Sequence, residues 1–320
     1  MSGTTVEPEP ETWATRDHGA DPGWRRTSEM DDEQLAGQQP ENIDEAIAYM
    51  QKTLRLFHEL HDRRAVFLRL YYIMTLEVHA AINGLGAYKG QTVFLDPPWV
   101  ERLSGKFASL YFRSLDTFRR NPSDDVERAW KIAYKVVRDK SSTVVQDALL
   151  GMNAHINYDL ARAIASNLDP EELDDHPTLQ RRKFDHDQVN NLLLRTLGRV
   201  QEVLAQDYGP GIAFADRLLG QFDERLSETG LRYYRERVWW DALTFAAAAA
   251  NGRDDVVRDK LNWESYKVAL FLCDKWWLWV PERVLGLPWS VLGTRNWERI
   301  TLEDFGGVDG PSGTPINVLR

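Results

Sequence analysis

A chain of 320 residues with a formal net charge of −10 lacks the cationic field that gives sequence-independent affinity for nucleic acid, so nucleic acid is not expected as a partner. Its one cysteine, Cys273, excludes an internal disulfide and, lying in the apolar run 268–280, reads as a small buried hydrophobe. The N-terminus shows no basic-then-apolar signal pattern, and the run 268–280 is interrupted by Asp274 and Lys275, so the sequence predicts no membrane span and a cytoplasmic setting.

Residues 1–40 are rich in Glu, Asp, Pro, Gly, Thr and Gln without an apolar period, and are expected to form a disordered acidic arm. From Ile43, apolar residues at 43, 47, 50, 54 and 57 step by four and three, which is one stripe of a helix. The stripe continues through His61, Ala65, Leu68, Tyr72, Thr75, His79 and Ile82 until Asn83-Gly84 stops it. On one unbroken helix His61 and His79 would lie about 27 Å apart at 1.5 Å per residue, so both can serve one site only if the helix breaks near Asp62-Arg63. His58 falls off the stripe and is expected to be exposed.

Asp96-Pro97-Pro98 reads as a cap and entrance to a helix over 99–119. Asn121-Pro122-Ser123-Asp124 ends it and introduces a helix over 125–140. Ser142 or Thr143 opens a helix over 144–166 whose apolar stripe is Val145, Ala148, Leu149, Met152, Ile156, Leu160 and Ile164. An acidic loop, 167–177, precedes a helix over 184–206, and Gly209-Pro210-Gly211 breaks the chain before helices over 212–228, 231–250 and 256–280. The Gly-rich stretch 303–320 reads as a flexible tail. No segment alternates with period two, so the expected fold is all-α: one multi-helix bundle over 41–302, of about eight to ten helices, flanked by arm and tail.

The 144–166 helix carries the densest polar group. His155 and Asp159 are spaced i, i+4, about 40° apart on one face, and overlap the apolar stripe. A buried carboxylate and imidazole are costly unless paired or metal-bound, and Asn153 and Asn157 add two polar groups beside them. Such violations of patterning mark functional or strained sites. Asp185, His186 and Asp187 form a second His/Asp group. They read either as the negative first turn of a helix or as ligands supplied to the His155 site.

The stretch Leu149-Leu150-Gly151-Met152-Asn153-Ala154-His155-Ile156-Asn157-Tyr158-Asp159-Leu160 resembles the Asn-Ala-His-Ile-Asn-x-Asp-Leu signature of a bacterial all-helical family of unknown function. Asp96-Pro97 with Trp99, Phe107-Ala108 with Tyr111-Phe112, Asp185 with Val189-Asn190, and Arg237-Val238-Trp239 are similar to that family too, over about residues 45–250. The resemblance implies an all-helical cytoplasmic protein with no assigned activity.

Phosphate-binding glycine loops, dinucleotide fingerprints, His-Glu-x-x-His, Gly-x-Ser-x-Gly and Cys-x-x-Cys are all missing from the sequence. The leading expectation is a metal-dependent hydrolase acting on a small molecule. His155, Asp159, His79, Asp185 and His186 would be ligands to zinc, iron or manganese, and Asn153 and Asn157 would orient the substrate. The alternatives are a cyclase or isomerase for an apolar natural-product precursor and a non-catalytic scaffold. For the cyclase, Asp124-Asp125 and Asp174-Asp175 are weak stand-ins for a diphosphate-binding motif. The twelve tryptophans read as core, and Trp276, Trp277 and Trp279 offer an aromatic surface for a homo-oligomer.

Overall fold

The computed structural model describes residues 37–120, 126–208 and 228–274, and every regular element within them is helical. Residues 1–36 of the expected arm, 212–227 of the expected helix over 212–228, the tryptophans 276, 277 and 279, and the expected tail 303–320 lie outside the described residues. The described residues open with a hairpin of α1 (Ile43–Glu59) and α2 (Ala65–Ile82). The long α3 (Pro97–Arg120) and shorter α4 (Arg128–Arg138) follow. Next come α5 (Val144–Ala154) and α6 (Leu160–Asn167), joined by a π-helical turn, His155–Asp159. The bundle is completed by α7 (His176–Tyr208), α8 (Glu228–Ala250) and α9 (Asp254–Cys273).

The first predicted stripe is buried residue for residue: Ile43, Ile47, Met50, Leu54 and Phe57 all face the core. Asn42 caps α1 by accepting the Glu45 amide. The stripe then breaks beside Asp62-Arg63, the place that the spacing of His61 and His79 singled out. Leu60 closes α1, His61 turns into the left-handed region at φ 53°, and the Asp62 amide donates to Phe57 O while that of His61 donates to His58 O. These two bonds make a Schellman turn with histidine in the slot glycine usually fills. His61 is therefore an exposed turn residue and not a core position. His58, expected to be exposed, is half-buried, and its imidazole is pushed down to about 4 by burial, with Arg69 and His61 adding to the effect.

Helix α2 is buried on nearly every side, from Ala65 through Ala81. By length and composition the segment Ala65–Tyr88 could cross a membrane, although most of it packs inside the bundle. Helices α1, α3, α5 and α7 surround it. Asp96 caps α3 as expected, accepting the Trp99 amide at 3.1 Å. At Gly105 the backbone of Glu41 and Asn42 comes so close that a Cβ would sit 2.2–2.4 Å from it, which lets the start of α1 rest directly on α3. A buried ion pair, Arg63–Asp147 at 2.5 Å, ties the α1–α2 turn to the first turn of α5. Trp99, Trp130 and Trp239 are core residues, whereas Trp240 and Trp263 are exposed. Cys273 is half-buried, and burial raises its thiol pKa.

Candidate functional site

Thr143 opens the motif helix with a reciprocal cap. Its hydroxyl accepts the Gln146 amide, and the Gln146 side chain accepts the Thr143 amide. The helix is α-helical to Ala154, then widens into the π-turn, where the Leu160 amide donates to His155 O five residues back. Turns of this kind lie frequently at functional sites. Here the turn coincides with the polar motif.

His155 and Asp159 form a buried dyad, Nδ1 to Oδ2 at 3.1 Å. Trp130 Nε1–H donates to the same Oδ2 at 2.8 Å; with Asp159 ionised, that oxygen accepts from both side chains and His155 Nδ1 carries the hydrogen. The lone pair is left on Nε2, which is buried and has no hydrogen-bond partner. On the other side of the carboxylate, Arg162 Nη1 lies 3.8 Å from Oδ1 and 3.2 Å from Glu127 Oε1. Burial pushes His155 well below the usual imidazole range and raises Asp159 to about 7, against the opposing pull of Arg162 and Trp130. The imidazole is thereby kept neutral.

The His155 ring sits in an aromatic cage. Phe107 stacks on it, and the edges of Tyr71 and Phe67 meet it at centroid distances of 4.2 Å and 5.6 Å. Phe67 can approach because residue 151 is glycine: a Cβ there would lie 2.3–2.6 Å from the Phe67 side chain. These residues wall a cavity of about 130 Å³ between α2, α3, the motif helix, α7 and α8. Leu70, Met74, Leu103, Ile156, Leu160 and Val189 make most of the wall apolar. The polar groups of Thr75 and Ser104 are consumed locally, each donating to its own helix backbone. What remains on the wall is His155, Tyr71, and His186 with Arg235. Burial, with the Asp159 charge adding to it, holds the Tyr71 phenol well above its ordinary pKa, so it remains a donor.

The other predicted site residues are distributed differently. His186 reaches the same cavity as His155, with Nε2–H donating to Arg235 O at 3.1 Å. Asp185 turns away and accepts the amides of Leu95 and Asp96 at 2.7 and 2.9 Å, clamping the entrance of α3 onto α7. Because α7 begins at His176, residues 185–187 are not a first turn, and the helix-dipole reading fails. His79 faces the start of α1, with Nε2 3.0 Å from Asp44 Oδ1, and does not line the cavity. Asn157 donates to Asn153, which donates to Ser265 O on α9, so the two asparagines lock helices together instead of facing the cavity. Among the described residues no group of three His, Cys, Asp or Glu side chains is arranged to hold a metal ion, so the expected zinc, iron or manganese ligand set is not assembled.

Sequence reasoning missed Phe67, Tyr71, Phe107, Trp130 and Arg235. Part of the wall was nonetheless readable, since Phe67, Leu70, Tyr71, Met74 and Val78 repeat at three and four. Trp130 and Arg235 come from distant helices, and no local pattern announces them.

Residues 43–275 match the model of a family of unknown function, DUF5995, and the chain belongs to that family. No curated protein and no solved structure matches the chain.

Proposed function

We propose that this member of a family of unknown function is an enzyme of isomerase type that moves a proton within a small, largely apolar molecule held in the His155 cavity. The observation that carries the reading is the buried His155–Asp159–Trp130 arrangement, which fixes the tautomer and leaves an unengaged Nε2 lone pair on a His side chain lining an apolar wall. A base of that kind accepts a proton from a carbon next to a carbonyl or double bond, and the imidazolium so formed is neutralised by Asp159. Returning the proton at a second carbon completes an isomerisation, which balances without a further reagent. The Tyr71 hydroxyl supplies a hydrogen bond to an oxygen that gains charge. This is the role division seen when a low-dielectric site keeps its base neutral and its donor protonated.

A metal-dependent hydrolase is the weaker reading, because His79 and Asp185 are committed elsewhere. The test is hydrogen exchange at carbon. Apolar ketones and unsaturated carbonyl compounds that fit the cavity are incubated with the protein in D₂O and followed by mass spectrometry. The wild type incorporates deuterium into a bound compound, and His155→Gln does not. Compounds that bind yet show no protein-dependent exchange would overturn the proposal.

A further inference from the structure

The wall of the cavity opposite the dyad holds an unusual pair. Arg235 is 4 % exposed and His186 is 1 % exposed, and both line the cavity. The Arg235 Nε–H donates to Asn190 Oδ1, and the guanidinium makes no ion pair with a carboxylate among the described residues. Its nearest negative influence, Asp187, is itself held by Lys183 at 2.7 Å. His186 is fixed by its Nε2–H bond to Arg235 O, which leaves Nδ1 as a lone pair, buried and without a partner. A buried guanidinium without a counter-charge costs several kcal/mol, and a buried acceptor without a donor adds to that cost. In an apolar pocket both costs are removed by one ligand group.

We infer that the cavity takes a small amphipathic carboxylic acid, its carboxyl group accepting from Arg235 and sharing a proton with His186 Nδ1, its apolar body against Phe107, Met74 and Ile156. The inference rests on the cavity reading above and names the substrate class. The geometry of His186 requires the proton: Nε2 already donates, so a bare carboxylate would face the Nδ1 lone pair. A carboxylate from solution therefore binds together with about one proton, carried between ligand oxygen and imidazole. The charged and titratable groups around this corner are Arg235, Lys183 and Asp187, with Tyr71 and His155 across the cavity. Both Arg235 and Lys183 disfavour an imidazolium until a ligand charge arrives. The volume of about 130 Å³ admits on the order of ten non-hydrogen atoms at about 10–15 Å³ for each water-sized group. That is the size of a medium-chain or aryl-substituted acid.

Titration calorimetry of the full chain with octanoate and with 2-nonanone tests this, because the ketone replaces one carboxylate oxygen by methyl at nearly constant shape. Octanoate is expected to bind at least about tenfold more tightly than the ketone, the scale of a charge-assisted hydrogen bond. Repeating the titration in buffers of different ionisation enthalpy should show uptake of about one proton per octanoate and none for 2-nonanone. Arg235→Gln should bring the two ligands to equal affinity, and Arg235→Lys should retain part of the preference. Equal binding of octanoate and 2-nonanone by the wild type overturns the carboxyl inference and leaves the apolar cavity standing. Binding of neither ligand overturns both. The wild-type comparison decides even if the Arg235 variants do not fold.

Discussion

Phe107 lies flat on His155, with ring centroids 3.5 Å apart and planes 10° from parallel. A stacked phenyl ring excludes water from one whole face of the imidazole, and that exclusion is part of what keeps the ring neutral. Phe107→Ala removes it. In nitrogen-resolved NMR, His155 of the wild type should remain neutral as the pH falls through 6.5, the ordinary imidazole value, and the variant should protonate closer to 6.5. An unchanged titration would show that the stack is irrelevant to the electrostatics of the dyad.

Asp159 gives a pH dependence of the less usual sign. Its pKa rises from 3.8 to about 7 on folding, so the native state holds the proton more tightly than the unfolded chain. That contribution to stability is complete below about pH 3.8 and is lost as the pH rises through about 7. His155, whose pKa is lowered, acts oppositely: its contribution is present above 6.5 and is lost on acidification. Asp159→Asn keeps an acceptor for Trp130 but cannot ionise. Relative to wild type it should gain on the order of 2–3 kcal/mol between pH 5 and pH 7, read from urea melts at both values. A parallel pair of melting curves would contradict this.

Gly151→Ala places a methyl group 2.3–2.6 Å from three atoms of Phe67. The Phe67 ring must move, and it lines the cavity and touches His155. Destabilisation of about 1–3 kcal/mol is expected from overpacking. A ligand that fits the wild-type cavity should also bind more weakly, by calorimetry, than the loss of fold alone explains.

His61→Gly should stabilise the protein. The left-handed backbone at φ 53° costs a non-glycine residue about 1–2 kcal/mol, partly offset by the greater freedom of glycine in the unfolded chain. A rise in Tm of a few degrees is the expected outcome, about what a gain of up to 1 kcal/mol gives in a domain this size. The neighbouring bonds Asp62 N–H to Phe57 O and His61 N–H to His58 O remain available to glycine.

Much of the bundle was legible because its helices announce themselves locally. The α1 stripe, the Asn83-Gly84 stop, the Asp96 cap and the Thr143 cap are all short-range signals, and each lies where the sequence placed it. The pairing of His155 with Asp159 was legible for the same reason, being a spacing on one helix. The partners were not. Trp130 meets Asp159 across 29 positions, and His186 meets Arg235 across 49, contacts that exist only once helices pack. Acidic clusters also misled: Asp185 resembles a helix-dipole residue until α7 is seen to start nine positions earlier.

The π-turn has a consequence of register. One helical position is worth about 100° of rotation, so an extra residue per turn re-aims everything downstream by about that angle. Before it, α5 packs on α2, α4 and α9, and after it α6 packs on α3 and α8. Winding all five residues 155–159 into α-helical geometry would turn Leu160 and Ile164 by about 100°, out of the core, whereas deleting one of them would remove the bulge and leave α6 facing as it does. The extra residue is spent locally, in widening the turn that carries His155 and Asp159.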